Sequence, residues 1–380
     1  MARRTVSPNI AFDTERASYY VTLHHGTDSQ GRRVRSVRCY ATYEQAKLVL
    51  DEFQRTRPLR GNNLPWDMTV GRWLDYWMEN AIRPYRAAST CYGYQKIIDN
   101  HLRPALGRVR LQDLSAVHLQ QYMTAKLAEG LSPNTIRKHH TLISSALRMA
   151  VRQDMLRKNV ACSVDPPPKE APQHLYYNPE QVMRLFRVLE GTPLEPAVKL
   201  AGYLGMRRSE ICGLKWDHVD LERGVLYICE ARTAVGGQAV DKGPKSPSSQ
   251  RHMAIGGMTD LRDLLQRMHQ QYIRDRLLHG PDYNPQGFVL NHGGKPYSPD
   301  YITGRFNTLI DRAGLPKVTL HGLRHSFASI ANSQRVSLYS ICKALGHSNT
   351  TITSQIYTHL FDETHQDVVD LVGQAITHAS

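Results

Sequence analysis

Between positions 321 and 359 the chain collects side chains that could act on a phosphate ester: His321-Gly322-Leu323-Arg324-His325, then Leu345-Gly346-His347, then Ile356-Tyr357-Thr358-His359. Among them Tyr357 is the candidate nucleophile. A phenol with a pKa of about 10 is protonated all but about one part in a thousand at neutral pH, so using it as a nucleophile costs roughly 4 kcal/mol unless a base or nearby cations assist. A phosphodiester under attack gathers negative charge on its non-bridging oxygens, and guanidinium groups bind such oxygens bidentately while holding their charge at any working pH. The chemistry therefore needs arginines on the phosphate as well as a tyrosine beside it. Loss of one preorganised donor of this kind typically costs about a hundred- to a thousand-fold in rate.

A second arginine stands far upstream, in Gly205-Met206-Arg207-Arg208-Ser209-Glu210. Taken alone, an arginine near a helix start could simply pair with Glu210 on the next turn, and Arg208 is a neighbour that could be mistaken for it. Taken as an ordered set, however, Gly-Met-Arg-Arg-Ser-Glu, His-Gly-Leu-Arg-His, Leu-Gly-His and Tyr-Thr-His resemble the motifs of the tyrosine recombinase (phage-type integrase) family, over most of residues 171–360. The resemblance implies that Arg207 is the first catalytic arginine, that His321 and Arg324 form the His-x-x-Arg pair, that His347 is the second histidine, and that Tyr357 is the nucleophile. On that footing Glu210 orients the Arg207 guanidinium, His321 acts as a base or as a hydrogen-bond donor to the phosphate, and His347 acts as a second donor.

The segment Gly243-Pro244-Lys245-Ser246-Pro247-Ser248-Ser249-Gln250-Arg251 resembles the family's hairpin with its catalytic lysine, which falls on Lys245. A lysine on such a hairpin could protonate the departing 5′-oxygen as general acid when the hairpin closes onto the DNA minor groove. Pro247 and the apolar Ala254 depart from the usual pattern, which leaves Lys242, or a solvated loop lysine with no catalytic part, as the alternative. His321 and His325 stand four apart, as helical zinc ligands do. No carboxylate or cysteine has matching spacing, though, and Arg324 between them repels a cation, so neither a metal nor another cofactor is expected. His325, His359 and His365 are read as structural.

Composition points the same way. Against 34 acidic side chains the 380 residues carry 48 Lys and Arg, a formal charge of +14, which favours a polyanionic partner and makes double-stranded DNA the first candidate. The six cysteines are scattered without a Cys-x-x-Cys pair, so neither a disulfide framework nor a zinc site is indicated. No apolar h-region follows Met1-Ala2-Arg3-Arg4 and no apolar run reaches about eighteen residues, so a cytoplasmic protein without membrane contact is expected.

The elements that must position these side chains fall into three groups. Tyr19-Tyr20-Val21-Thr22-Leu23 and Arg33-Val34-Arg35-Ser36-Val37-Arg38 read as strands, the second with Arg33 and Arg35 on one face and Val34 on the other. A helix follows, capped by Thr42, with Ala46, Val49, Leu50 and Phe53 at helical spacing. Either this small module is a solubilising appendage, or, as the resemblance implies, it grips secondary arm sites on DNA through Arg33 and Arg35. After a linker at 57–65, residues 66–165 are helical and basic, with Val70, Trp73, Leu74 and Trp77 as one apolar stripe whose tryptophans are read as core. Ser132-Pro133 opens the last of these helices, on which Arg137, Lys138, His139 and His140 are candidates for touching DNA. Three prolines at 166–168 mark the next boundary. Beyond it Asn178-Pro179-Glu180-Gln181 opens a helix, residues 225–255 read as a small sheet interrupted by a Gly/Pro-rich excursion, and amphipathic helices follow through Leu261 to Met268 and from Ser298-Pro299. Val368, Leu371, Val372 and Ile376 give a terminal apolar stripe that must be buried in its own domain or on a neighbouring protomer.

The expected fold is multidomain and mainly α with small β-sheets. In the terms that the resemblance supplies, it comprises an N-terminal ββα arm-binding module over 1–60, a helical core-binding (SAM-like) domain over 66–165 and a mixed α+β catalytic domain over 171–380 ending in an exchange tail. The function that the resemblance implies is a site-specific DNA recombinase integrating and excising a phage or other mobile element through a 3′-phosphotyrosyl link and a Holliday junction, as a homotetramer on core and arm attachment sites, with an excisionase and a host DNA-bending protein as helpers. A type IB topoisomerase-like enzyme and a non-catalytic DNA-binding regulator of the same fold are the rival readings.

Overall fold

The computed structural model describes residues 3–27, 32–55, 65, 67–170, 175–243 and 250–346. Internal contacts divide the chain into two compact units, Met1–Ala171 and Pro172–Ser380, and the first of these holds two separate apolar cores.

Among the described residues the N-terminal sheet has four antiparallel strands rather than the two expected: β1 (Arg3–Ser7), β2 (Ile10–Asp13), β3 (Ser18–Thr27) and β4 (Arg33–Tyr40), paired in that order. The first strand escaped notice because its Arg-Arg-Thr-Val-Ser run is almost wholly exposed and carries no apolar alternation. A two-residue Pro8-Asn9 connection joins it to β2, with Asn9 at φ 68°, a conformation that asparagine tolerates better than most residues. Ile10, Val21 and Leu23 of the sheet pack on Ala46 and Leu50 of helix α1 (Tyr43–Arg55), whose N-terminus is capped by Thr42 Oγ1 accepting from the Gln45 amide at 3.3 Å. Arg33 and Arg35 are exposed while Val34 is half-buried, as a period of two requires.

Helices α2 (Val70–Trp77), α3 (Ala88–Ile97), α4 (Arg103–Leu106), α5 (Ala116–Ala128) and α6 (Pro133–Arg152) surround the second core. Trp73 and Trp77 lie inside it, and the indole of Trp73 donates to the Ala146 carbonyl at 3.0 Å, tying α2 to α6. Ser132 caps α6 and Pro133 occupies its first turn. The expectation that His139 faces DNA is corrected. His139 is 1 % exposed, shares a 2.8 Å hydrogen bond with the Tyr122 hydroxyl and packs against the His101 ring. His140 meets the Ala161 carbonyl at 2.9 Å. Position 139 falls on the inward stripe with Ile136 and Ile143, so helical spacing overrides its polarity. Lys138 is exposed, and Arg137 donates to the Pro167 carbonyl at 2.7 Å, which fastens α6 to the triple-proline segment.

The second unit opens with α7 (Pro179–Leu189), which begins with the Asn178/Gln181 capping box, followed by α8 (Glu195–Leu204) and α9 (Arg208–Gly213). Strands β5 (Val219–Asp220), β6 (Val225–Ile228) and β9 (Arg251–Ala254) form one sheet. The excursion between β6 and β9 contains a hairpin of its own, β7 (Ala231–Val235) and β8 (Gln238–Lys242), turned at Gly236-Gly237 with both glycines at positive φ. Such a pair is a direct hairpin signal, obscured in the sequence by the short, mixed runs beside it. Helix α10 (Thr259–His279), the short pair β10 (Asn291–His292) and β11 (Lys295–Pro296), and helices α11 (Pro299–Ala313), α12 (Leu320–Ser333) and α13 (Leu338–Leu345) complete the described fold. Leu185, Leu200, Leu261, Phe306 and Leu323 of five different helices share one core. No described helix is long and apolar enough to cross a membrane.

Two measurements probe this architecture. Burial, and then the charges of His101 and Lys126, hold the His139 imidazole down to about 4. The unfolded chain therefore takes up a proton below about pH 6.5 that the folded helical domain refuses, and stability present above that pH is lost as pH falls toward 4, by at most about 3 kcal/mol. Thermal unfolding followed between pH 7 and 4 is expected to show a shallower loss for H139Q than for the wild type, and parallel losses would refute the assignment. The second concerns Gly205, at φ 59° directly after α8, where an added Cβ would lie 2.7 Å from Leu345 Cδ2 and 2.8 Å from Phe327 Cδ1. G205A should destabilise the second unit by about 1–3 kcal/mol, read from denaturant unfolding.

Candidate active site

Arg207 is placed by the tight passage from α8 to α9. Gly205 turns the chain in the left-handed region, Met206 is buried, and Arg207 is extended just before α9 begins. Its amide donates to Glu210 Oε2 at 2.8 Å and its Nη1 to Glu210 Oε1 at 2.7 Å. The pairing that the sequence offered as a bland alternative thus exists, and it is also what aims the guanidinium, because Arg207 Nη2 goes on to donate to the Gly346 carbonyl at 3.0 Å. Arg208, the neighbour, turns away to the hydroxyl of Thr303 on α11 at 2.6 Å.

Arg324 comes from α12, whose start is fixed by Thr319 Oγ1 accepting from the Gly322 amide. Its side chain is 2 % exposed and donates at 2.6 Å to two carbonyls, those of Gly205 and Leu345. These are the C-terminal ends of α8 and α13, where orphan carbonyls and the negative end of the helix dipole stabilise a cation. Because Leu345 and Gly346 are consecutive, Arg207 and Arg324 are bound to one turn, although 117 positions separate them in the chain.

Glu210 is buried to 6 % exposure. Burial pushes its carboxyl up, but hydrogen bonding and charge from Arg251, followed by the amide and charge of Arg207, outweigh that and hold it below the ordinary carboxylate range. Arg251 of β9 is the site residue that sequence reasoning missed. It meets Glu210 with both terminal nitrogens, Nη1 to Oε1 at 3.1 Å and Nη2 to Oε2 at 2.9 Å. The available signal was its inward register: β9 alternates half-buried and exposed, and Arg251 shares the inner face with Met253, a position that a charge occupies only with a buried partner. Among the described residues Arg207, Arg251 and Arg324 stand against the one Glu210 carboxylate, a surplus of positive charge suited to an oxyanion.

His321 lies on α12 three residues before Arg324. It is exposed, with its ring 5.0 Å from that of the buried His325. Lys242 ends β8. Lys245, His347, Tyr357 and the terminal stripe from Val368 to Ile376 lie outside the described residues. Arg33, Arg35, Arg137 and Lys138 belong to the first unit.

Comparison with known proteins places this arrangement in a family. Residues 176–364 match the model described as Phage integrase family, and residues 69–127 match the N-terminal SAM-like domain of phage integrases. A protein named tyrosine recombinase XerC-like from Caldanaerobacter subterraneus subsp. tengcongensis is 24 % identical over 377 residues, covering 93 % of this chain and 95 % of the relative. Among solved structures, the Tn1549 transposon integrase in complex with transposon right end DNA superposes with a TM-score of 0.68 at 22 % identity, over 80 % of this chain and all of that one. A lambda integrase tetramer bound to a Holliday junction gives 0.59 at 17 % identity, over 93 % of this chain and 96 % of that one. With two tethered arginines on one turn, and with both its catalytic-type and its SAM-like segments matched in order, the chain belongs to the phage integrase family of tyrosine recombinases, enzymes of site-specific DNA recombination.

Proposed function

We propose that this protein integrates and excises a phage or other mobile element by cutting and rejoining DNA through a covalent tyrosine link. Tyr357 attacks a phosphodiester, forming a 3′-phosphotyrosyl bond and releasing a 5′-hydroxyl. The 5′-hydroxyl of a partner duplex then attacks that bond and frees the phenol. One phosphate ester replaces another at each step, so no nucleotide is consumed, and arginines, lysine and histidines supply the charge stabilisation that metals provide in many nucleases. The observation that carries this reading is the fastening of Arg207 and Arg324 to the consecutive carbonyls of Leu345 and Gly346, which preorganises two guanidinium groups for a single oxyanion.

In this scheme His321 acts as a base or donor to the phosphate and His347 as a second donor. Lys245, or Lys242 in its place, protonates the leaving 5′-oxygen. Residues 1–60 grip arm sites through Arg33 and Arg35, and residues 66–165 lie on the core site with Lys138 and the remaining donors of Arg137 toward the phosphates. Residues 171–380 hold the chemistry, and the terminal stripe docks on a neighbouring protomer. Four protomers exchange strands in pairs through a Holliday junction in the cytoplasm, assisted by an excisionase and a host DNA-bending protein. The junction-bound tetramer of lambda integrase and the DNA-bound Tn1549 integrase support the assembly, and the +14 charge supports the partner.

The decisive assay uses a nicked suicide duplex carrying the attachment site, in EDTA. Wild type is expected to leave a covalent protein–DNA adduct and Y357F none, while joined product from two duplexes separates recombination from topoisomerase-like resealing. Binding without adduct would instead identify a non-catalytic regulator. In the same assay R207K and R324K should slow adduct formation by about a hundred- to a thousand-fold with far smaller losses of duplex affinity. Near wild-type rates in either variant would remove that arginine from the site.

A further inference from the structure

The carboxylate of Glu210 poses an electrostatic problem for the guanidinium it orients. Paired with Arg207 alone, a buried anion cancels the positive charge that Arg207 is to present to phosphate. The structure shows what offsets it. Each Glu210 oxygen accepts two hydrogen bonds, Oε1 from Arg207 Nη1 and Arg251 Nη1, Oε2 from the Arg207 amide and Arg251 Nη2. The acceptor is therefore saturated and its plane is fixed by the fork of Arg251. Arg251 is itself held firmly. It lies opposite Ile228 in the β6–β9 ladder, only 7 % of its side chain is exposed, and its Nη1 packs so closely on the active-site turn that a Cβ at Gly346 would come within 3.0 Å of it.

We infer that Arg251 is a positioning residue for the recombination reaction, one that neutralises and orients Glu210 so that Arg207 keeps both its aim and its net positive charge toward the scissile phosphate. This rests on the reading that Arg207 binds that phosphate. Arg251 itself is engaged with Glu210 and the Gly346 turn, and it acts through Arg207. Removing Arg251 leaves Glu210 wholly on Arg207, so the guanidinium that meets the phosphate becomes half of a neutral pair. The loss should then lie in the chemical step, and it should be relieved by removing the surplus anion as well.

The test compares full-length wild type, R251M, R251K and E210Q/R251M on the nicked duplex under single-turnover conditions, at a temperature where melting curves show all four folded. R251M is expected to form adduct about ten- to a hundred-fold more slowly than wild type while its non-covalent duplex affinity changes less than about threefold, with R251K between the two. E210Q/R251M should be faster than R251M by about fivefold or more, a coupling between residues in contact, and because all four proteins are compared folded and at nearly unchanged duplex affinity, the rescue reads the charge left on Arg207 and not a regain of folding. Wild-type rates in R251M, or a double variant no faster than R251M, would overturn the inference while the wild-type adduct in the same experiment leaves the reaction standing. Absence of adduct in the wild type would overturn both.

Discussion

The second unit depends on one interaction, a buried guanidinium shared between two helix ends. An arginine at 2 % exposure would be costly among apolar side chains. Arg324 is tolerated because the C-termini of α8 and α13 both present carbonyls to it at 2.6 Å, each adding the negative end of a helix dipole. The arginine in turn satisfies acceptors that the helices themselves leave open. Removing it would expose more than a missing charge, since α8, α12 and α13 converge on that group and Phe327, Ile341 and Leu345 pack around the same junction.

From this junction the remaining electrostatics follow. Gly346 continues the turn that Arg324 holds and offers its carbonyl to Arg207, and Glu210 and Arg251 close the other side. Among the described residues three guanidinium groups and one carboxylate form a positive cluster held by the Glu210 bonds and by the carbonyls of the junction, so their directions are set before any anion arrives. Preorganisation of this kind is where an enzyme gains most from charge, because no dipole need turn during the reaction. The overall charge of +14 works at longer range, drawing a polyanion to the surface without specifying where it is cut.

Legibility from the sequence varied with the kind of signal. The helices opened by Ser132-Pro133, Asn178-Pro179 and Ser298-Pro299 start where capping chemistry puts them, and Trp73 and Trp77 are core because apolar spacing is a strong signal. Arg207 and Arg324 were legible through ordered motifs, whereas their meeting at Leu345-Gly346 was not, since long-range tertiary contact leaves no local trace. His139 misled because polarity was weighed above its place on the inward stripe of α6. Arg251 was passed over for the opposite reason: in a short strand an inward charge looks like noise until its buried partner is known. Strands β1 and β2 and the β7–β8 hairpin lacked a clear apolar alternation, and only their turn residues, Asn9 and Gly236-Gly237, carried the signal.

Beside the Glu210 carboxylate, the acceptors that hold the two arginines at this junction are the main-chain oxygens of Gly205, Leu345 and Gly346, and that has an evolutionary consequence. A side-chain partner disappears with one nucleotide change, but a carbonyl persists through every substitution at its position so long as the local trace is kept. Leu345 can drift to another aliphatic residue without disturbing the oxygen that Arg324 uses. Gly205 and Gly346, both at positive φ, are the points where drift would bend the trace itself. A scaffold anchored in this way can retain its geometry while most of its letters change, in keeping with a relative that aligns over 93 % of the chain at only 24 % identity.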